Sequence, residues 1–372
     1  MSGLNVGVNV LWLRPGEVGG SESYARRVLR ALATHAPDTQ LHLFGTAPGI
    51  AAVRPAGVQA EEYLTAAPAL PPRRRIIVER TWLRSVVGPP LDVLHHPGGT
   101  VPFVNETPAV VTIHDLQPLA DPSNFSMSKR QFLAKAIPNT LKRASVITTP
   151  SNWVREDILD RFDVDPDRVV TVSAFAETKD LSEATEPSPK LTSILSRGPV
   201  FFYPAMTLRH KNHAMLFEAF RRATQREPDL QLVCVGAIGR DHDELTELAQ
   251  SLSPAIHMLG YVDKADLDAL FQRSEALVFP STYEGFGLPL IEAQHAELPV
   301  ISSNATALRE VAGDSGILLD PTNIDAWAGA MEHRLSPTER AQHVAAGREN
   351  AARYTPARTA EQQQSAYERC RA

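Results

Sequence analysis

The chain has 372 residues, 43% of them hydrophobic and 22% charged, with a formal net charge of −6. That length exceeds one ordinary core and suits two domains of roughly 150 to 200 residues, while the composition excludes a disordered or collagen-like chain. The small negative charge, with basic residues dispersed rather than striped, excludes a nucleic-acid partner.

Cys234 and Cys370 stand far apart with no Cys-x-x-Cys spacing, so neither a disulfide framework nor a zinc site is indicated and a reducing cytoplasm is expected. The opening MSGLNVGVNVLWL lacks a basic segment followed by a signal-type run and reads as a first strand. No stretch reaches the roughly 18 apolar residues that span a bilayer. The expectation is a soluble protein, or at most a peripheral one.

The first half opens with a strand over Leu4 to Leu13, a Pro/Gly-rich loop from Arg14 to Gly20, and a helix near Glu22 to His35. Tyr24, Val28, Leu29 and Leu32 share one face of that helix. Gly19 and Gly20 permit close approach of a ligand to the backbone, and Ser21 is expected to cap the helix. Pro71 to Arg84 combines five arginines with Ile76, Ile77, Val78, Trp82 and Leu83. Two readings stand there: a surface helix packed on its own domain, or a contact with a membrane or an anionic acceptor. Further strands are expected at Gln40 to Phe44, Val93 to His95, Ala109 to Ile113 and Val146 to Thr149. His95 and His96 follow one strand end, and His114 and Asp115 follow another. Pro150-Ser151-Asn152 reads as a helix cap.

The polar, acidic, proline-containing stretch Ala176 to Pro189 has the composition of a boundary. The expected division is residues 1–176, a linker over 177–189, a second domain over 190–347, and a helical tail over 348–372. The second half restarts the strand and helix alternation with a strand at Val200 to Pro204 and a helix at His213 to Thr224. Strands follow at Leu230 to Gly236, His257 to Leu259, Ala276 to Phe279 and Pro299 to Ser302. This is an α/β pattern of two similar halves with parallel sheets.

Two segments of the second half carry chemistry. Thr207 to His213 holds Arg209 and Lys211, which can both reach a diphosphate, the lysine as a compact charge and the arginine as a fork. Phe279 to Glu292 runs strand, turn, helix. Gly285 and Gly287 admit a phosphate to the unpaired N–H groups of a helix start. Phe286 and Leu288 flank that turn, and Pro289 suits a first helical turn. Glu284 before the turn and Glu292 about one helical turn later can accept hydroxyls at the two ends of a diphosphate. That is the shape of a nucleoside diphosphate sugar.

The string FPSTYEGFGLP with Glu292 following resembles the E-x7-E signature of retaining glycosyltransferases of family 4, also called glycosyl transferases group 1. The resemblance implies the GT-B fold, two Rossmann-like β/α/β domains with ligand in an interdomain cleft and a last helix crossing back onto the first domain. It also implies a retaining hexosyltransferase, with Lys211 on the donor phosphates and His114 beside the transferred sugar. Gly19 and Gly20 then lie near the diphosphate, and Tyr261 and Val262 against the nucleobase. Many relatives carry an arginine about five or six residues before Lys211; those positions are Ala205 and Met206 here, which leaves Arg209 as the substitute. His95 and His96, at their strand end, are read as acceptor-side lining or structure with no metal role, and Asp115 is assigned to the acceptor side. With cationic side chains and helix ends on the phosphates, no cofactor and no metal is expected.

His114 to Gln117 with Pro122 to Phe125 looks similar to mannosyltransferases of surface polysaccharides, which favours GDP-mannose over a UDP-sugar, with a saccharide or lipid-linked acceptor. The alternatives are another GT-B enzyme, such as an epimerase or phosphorylase, or a non-catalytic sugar-nucleotide-binding protein. An NAD enzyme lacks its G-x-G-x-x-G with a following acid.

Overall fold

A computed structural model describes residues 3–16, 19–54, 60–65, 72–86, 91–103, 106–177 and 186–371, with the side chains of residues 72–74 set aside. Two units divide the chain: residues 1–175 with 354–372, and residues 176–353. Val18 of the glycine loop, Pro71, and residues 178–185 of the expected linker lie outside the described residues.

Unit 1 is built on the strands β1 (Leu4–Asn9), β2 (Thr39–Gly45), β3 (Glu61–Leu64), β4 (Val93–His96), β5 (Ala109–Thr112), β6 (Val146–Thr149) and β7 (Val169–Thr171). They form a parallel sheet in the order β3-β2-β1-β4-β5-β6-β7. Its helices are α1 (Gly20–His35), α2 (Ala47–Val53), α3 (Pro72–Val78), α4 (Arg84–Val86), α5 (Gln117–Ala120), α6 (Met127–Arg143) and α7 (Asn152–Arg161), with a π turn, Glu79–Leu83, joining α3 to α4. The expected face of α1 is the buried one: Tyr24, Val28, Leu29 and Leu32 are all withdrawn from solvent.

Unit 2 has β8 (Val200–Pro204), β9 (Gln231–Val235), β10 (Ile256–Gly260), β11 (Ala276–Phe279), β12 (Val300–Ser303) and β13 (Ile317–Leu319), parallel in the order β10-β9-β8-β11-β12-β13. Its helices are α8 (Pro189–Leu195), α9 (His213–Ala223), α10 (His242–Leu252), α11 (Lys264–Arg273), α12 (Leu288–His295), α13 (Ala307–Ala312), α14 (Ile324–Glu332) and α15 (Pro337–Ala351). Strands covered on both faces need continuous apolar runs, and VFF of β8 and ALVF of β11 supply them. Phe202 meets Phe271 edge-on at 5.1 Å, and Tyr203 meets Phe279 at 5.7 Å. In each sheet the strand order reverses next to the first strand, between β1 and β4 and between β8 and β11. Such switch points are where open α/β sheets take ligands.

Several expectations shift. The first strand stops at Asn9, because the Asn9 side chain accepts from the Leu11 N–H at 3.1 Å and Leu13 N–H turns back onto Val10 O at 3.1 Å. Val10 to Leu13 are buried all the same, so hydropathy alone does not separate turn from strand. Ser21 is not the cap of α1: the helix begins at Gly20, with Gly19 (φ 60°) ahead of it. Ser151 does cap α7, accepting from Val154 N–H at 3.3 Å. In the Pro71 to Arg84 segment, Leu83 and Glu79 are buried, Val78 and Trp82 pack with Leu11 and Phe44, and Ile77 stays 61% exposed. Ser188 is bound to Asp266 of unit 2 through both its N–H and hydroxyl, at 2.7 and 2.8 Å. Arg348 lies within α15, and the chain returns to unit 1 at Tyr354 rather than there. The last helix, α16 (Pro356–Arg371), then packs on α1.

Candidate active site

The loops after β8 and β11 meet at the switch point of unit 2, and backbone staples hold them together. Asn212 adopts a left-handed conformation (φ 61°) that asparagine tolerates better than most residues. From there its amide donates to Pro280 O at 3.2 Å and Pro321 O at 2.8 Å. Thr282 donates N–H and hydroxyl to His210 O at 2.8 and 3.2 Å, and the Tyr203 hydroxyl donates to Lys211 O at 2.5 Å. These contacts set the Lys211 ammonium against Glu284 Oε1 at 2.5 Å, with side chains 17% and 14% exposed. The same ammonium lies 5.6 Å from the centre of the Phe279 ring. The Glu284 N–H donates to Thr306 Oγ1 at 3.0 Å.

Beyond Glu284 the chain passes Gly285 and the buried Phe286 to Gly287, which has φ 108° and starts α12. A Cβ on Gly287 would stand 2.6 Å from Leu308 Cδ2, so both the dihedral and the space require glycine there. Leu288 opens the helix, Pro289 is its second residue and Glu292 its fifth, partly buried. Lys211, Glu284 and the α12 start are therefore gathered at one switch point. Arg209 is on the same short turn as Lys211, but it is exposed and has no acidic partner among the described residues. Tyr261, at the end of β10, is 88% exposed, and Val262 is half-buried.

The unit 1 residues separate into two groups. Gly19 and Gly20 are exposed at the start of α1, where an added Cβ meets nothing within 4 Å. His114, after β5, is half-buried, stands edge-on to Tyr24 at 5.1 Å and donates from Nε2 to Pro97 O at 2.8 Å. Desolvation holds its pKa down at about 4, against the pull of that carbonyl. The ring is neutral at pH 7, and with Nε2 protonated its Nδ1 is a hydrogen-bond acceptor. Asp115 accepts from Gln117 N–H at 2.9 Å, shaping the entry to α5.

Of the two readings of His95 and His96, the structural one matches their burial, each being only 2% exposed. His95 has both ring nitrogens engaged, Nδ1 with the Tyr367 hydroxyl at 2.8 Å and Nε2 with Thr112 Oγ1 at 2.9 Å. His96 Nδ1 meets the Asn9 amide at 3.1 Å. Burial lowers both pKa values to about 3. A strand-end histidine in an all-parallel sheet is covered from both faces, and nothing in the local pattern marks that.

Four Asp-x-Asp pairs occur, at Asp163–Asp165, Asp165–Asp167, Asp241–Asp243 and Asp266–Asp268. Asp165 caps a short turn through the Asp167 N–H, Asp266 holds Ser188, and Asp268 pairs with Lys264 at 2.5 Å. Among the described residues no three His, Cys, Asp or Glu side chains are grouped to hold a metal ion. Thr306, Tyr203 and Asn212 are the residues that sequence reasoning missed. Asn212 carried a signal, as an asparagine between a basic turn and a helix start is a left-handed candidate; Thr306, 22 residues beyond Glu284, carried none.

The model of glycosyl transferases group 1 matches residues 185–350, and that of glycosyltransferase family 4 matches residues 18–180. The chain belongs to this glycosyltransferase family. It is 31% identical over 243 residues to the O-antigen chain mannosyltransferase B of Escherichia coli, covering 63% of this chain and 62% of that one. It is 25% identical to the D-inositol 3-phosphate glycosyltransferase of Corynebacterium diphtheriae, over 95% of this chain and 90% of the relative. Among solved structures, Alr3699/HepE of Anabaena in complex with UDP-glucose superposes with a TM-score of 0.72 at 16% identity, covering 97% of this chain and 98% of that one. The fold is GT-B, with two parallel-sheet Rossmann-like units.

Proposed function

We propose that this family 4 member transfers a hexosyl unit, a mannosyl unit first among the candidates, from a nucleoside diphosphate sugar to an acceptor hydroxyl with retention at the anomeric carbon. The observation that carries the proposal is the Lys211–Glu284 pair beside the start of α12 at the switch point of unit 2. A departing nucleoside diphosphate needs its negative charge stabilised as the glycosidic bond breaks. The Lys211 ammonium and the N–H groups at the α12 start supply that, so no metal is assigned to the step. Glu284 and Glu292 are acceptors for hydroxyls of the donor sugar and the ribose. His114 is assigned to a sugar hydroxyl, which would donate to Nδ1, and Gly19 and Gly20 to the diphosphate. Tyr261 and Val262 are assigned to the base.

The mannosyl preference rests on likeness to an O-antigen chain mannosyltransferase, and UDP-glucose in the Anabaena protein makes a UDP-sugar the second donor to test. A saccharide or lipid-linked acceptor is assigned to unit 1. Exposed Ile77 beside Arg80 and Arg84 supports peripheral contact with the inner face of a membrane; no helix among the described residues is long and apolar enough to cross one.

Thermal-shift titration with GDP-mannose, UDP-glucose and ADP-glucose, followed by transfer assays in EDTA, tests the reading, since a ligand that binds the folded state raises its melting temperature. Stabilisation by one nucleotide sugar, and transfer that survives EDTA, is expected. No stabilisation by any of them refutes the donor site, and transfer that EDTA abolishes refutes the metal-free step.

A further inference from the structure

Among the described residues three that are not glycine stand at positive φ, and two of them, Asn212 and Thr306, hold the loops of the unit 2 switch point. Asn212 has the ordinary left-handed form of an asparagine. Thr306 does not. At φ 54° and ψ −137° it occupies a region that suits glycine, and a branched Cβ is strained there.

A second local rule is broken at the same residue. Thr306 is the N-cap of α13, where a threonine hydroxyl commonly accepts from the second or third N–H of its own helix. No such bond forms here. The hydroxyl accepts instead from the Glu284 N–H at 3.0 Å, across 22 residues of sequence. One residue on, the Ala307 N–H donates to Glu284 O at 3.4 Å, so both backbone groups of Glu284 are tied to the start of α13. Leu308, fully buried, lies against Gly287 at the other end of the same turn, where a Cβ would meet it at 2.6 Å. Residues 306–308 are thus a template for the turn from Glu284 to Gly287, kept in place of a helix cap and a relaxed backbone. Such departures from local preference collect at functional sites, where the surrounding structure over-determines them.

We propose that Thr306 is a positioning residue for Glu284, setting where its carboxylate stands toward the hydroxyls of a donor sugar. The inference rests on the donor role proposed for Glu284. A carboxylate accepts a hydroxyl only within narrow limits of distance and angle, so a Glu284 without its N–H anchor meets the sugar less often in register. Lys211 is held from behind by the Tyr203 hydroxyl, and the diphosphate contact does not run through Thr306. The residue therefore acts on recognition of the sugar rather than of the diphosphate.

The experiment titrates GDP, GDP-mannose, UDP and UDP-glucose calorimetrically into the full chain and reads the ratio of the dissociation constant of a bare diphosphate to that of its sugar conjugate. Thr306→Val keeps the branched shape without the hydroxyl, and Thr306→Gly relaxes the backbone without it. In both, the ratio for the donor that the native chain binds should fall about fivefold, the scale of one lost hydrogen bond, with the bare diphosphate bound no more weakly than by the native chain. Thr306→Ser, which keeps the hydroxyl, should hold the ratio within about twofold of native. In a chain that already carries Glu284→Ala, Thr306→Val should change the ratio by less than about twofold, because the residue acts through the missing carboxylate. Thr306→Gly should melt at or above Thr306→Val, since neither has the hydroxyl and only the valine retains the strained dihedral. An unchanged ratio in Thr306→Val, an equal fall in the Glu284→Ala chain, a Thr306→Ser chain that behaves as Thr306→Val, or a glycine variant that melts below the valine one would each overturn the inference. The native chain is the control for the donor reading: binding of neither sugar nucleotide refutes that reading and this inference together, whereas the four results above, with a donor bound by the native chain, refute this inference alone.

Discussion

Lys211→Ala separates the two jobs assigned to Lys211, holding Glu284 and neutralising a diphosphate. At 2.5 Å the gross attraction of the pair is roughly 7 kcal/mol at an effective dielectric of 20. Withdrawing both groups from water opposes most of it, and the residual exposure of 17% and 14% screens part of the rest. A net loss of about 2 kcal/mol on truncation is the expected scale, because Glu284 is left partly buried without its cation. For a unit of this size that lowers the melting temperature by about 4 to 8 °C. Removing Glu284 as well should return part of the loss, so Lys211→Ala with Glu284→Gln should be less destabilised than the sum of the single changes. Catalysis should respond otherwise, with transfer falling by about 10² to 10³ for a lost contact to developing charge, and the double variant recovering none of it. The assays are thermal unfolding of the four proteins and initial rates with the stabilising donor. Near-native transfer by Lys211→Ala would refute the phosphate role. Additive destabilisation would refute the pairing.

Gly287→Ala puts a Cβ at φ 108°, 2.6 Å from Leu308 Cδ2. It should destabilise unit 2 by about 2 kcal/mol and impair donor binding; an unchanged melting temperature would show that the α12 start is not constrained. Tyr367→Phe removes the hydroxyl from buried His95 and should lower stability by about 1 to 3 kcal/mol in urea unfolding, leaving acceptor KM unchanged. A KM shift at full stability would restore an acceptor role to His95. The two buried histidines also predict acid sensitivity. Their folded pKa values, about 3, lie below the unfolded value of about 6.5, so the unfolded chain binds protons the native state refuses. Their contribution is intact above that unfolded value and is lost as pH falls below it, by up to roughly 3 kcal/mol per pH unit for the pair. Urea unfolding at pH 7.5, 6.5 and 5.5 measures it, and equal stability at all three would contradict the burial.

Long, periodic or wholly apolar segments are legible in the sequence. The face of α1 and the limits of β6, β8 and β11 follow from hydropathy because a two-sided parallel sheet writes its strands as continuous apolar runs. Three of the four edge strands escape that reading: β3 is Glu61-Glu62-Tyr63-Leu64, mostly exposed, and β7 and β13 have three residues each, too short for a period. In the site, the chemistry of Lys211 and Glu284 is readable one residue at a time, but their pairing is not. It joins residues 73 apart through the staples of Asn212, Thr282 and Tyr203, a tertiary fact without a local pattern. His95 and His96 stay open between acceptor lining and structure for the related reason that a strand end looks the same whether solvent or α16 lies beyond it.

The pairing changes what the switch-point site does before a donor arrives. A lysine side chain carries about 2 kcal/mol of rotamer entropy, and one waving in solvent would lose it on binding a phosphate. Lys211 has already lost it, held by Glu284 in front, with its backbone carbonyl fixed by the Tyr203 hydroxyl behind. Glu284 is fixed in turn by Thr306 through its own N–H. A diphosphate therefore meets an ammonium already in position and needs only to outcompete one carboxylate. It carries more charge than that carboxylate, and the α12 start, which favours anions, adds to its side of the exchange. The carboxylate it displaces is then released toward donor hydroxyls. On this account Glu284→Gln, which weakens the competitor while keeping a hydroxyl acceptor, should bind nucleoside diphosphate alone more tightly and the complete sugar nucleotide less selectively. Calorimetric titration of GDP and UDP against their sugar conjugates reads both effects, and weaker binding of the bare diphosphate by that variant would show that the glutamate helps to hold the phosphate rather than competing with it.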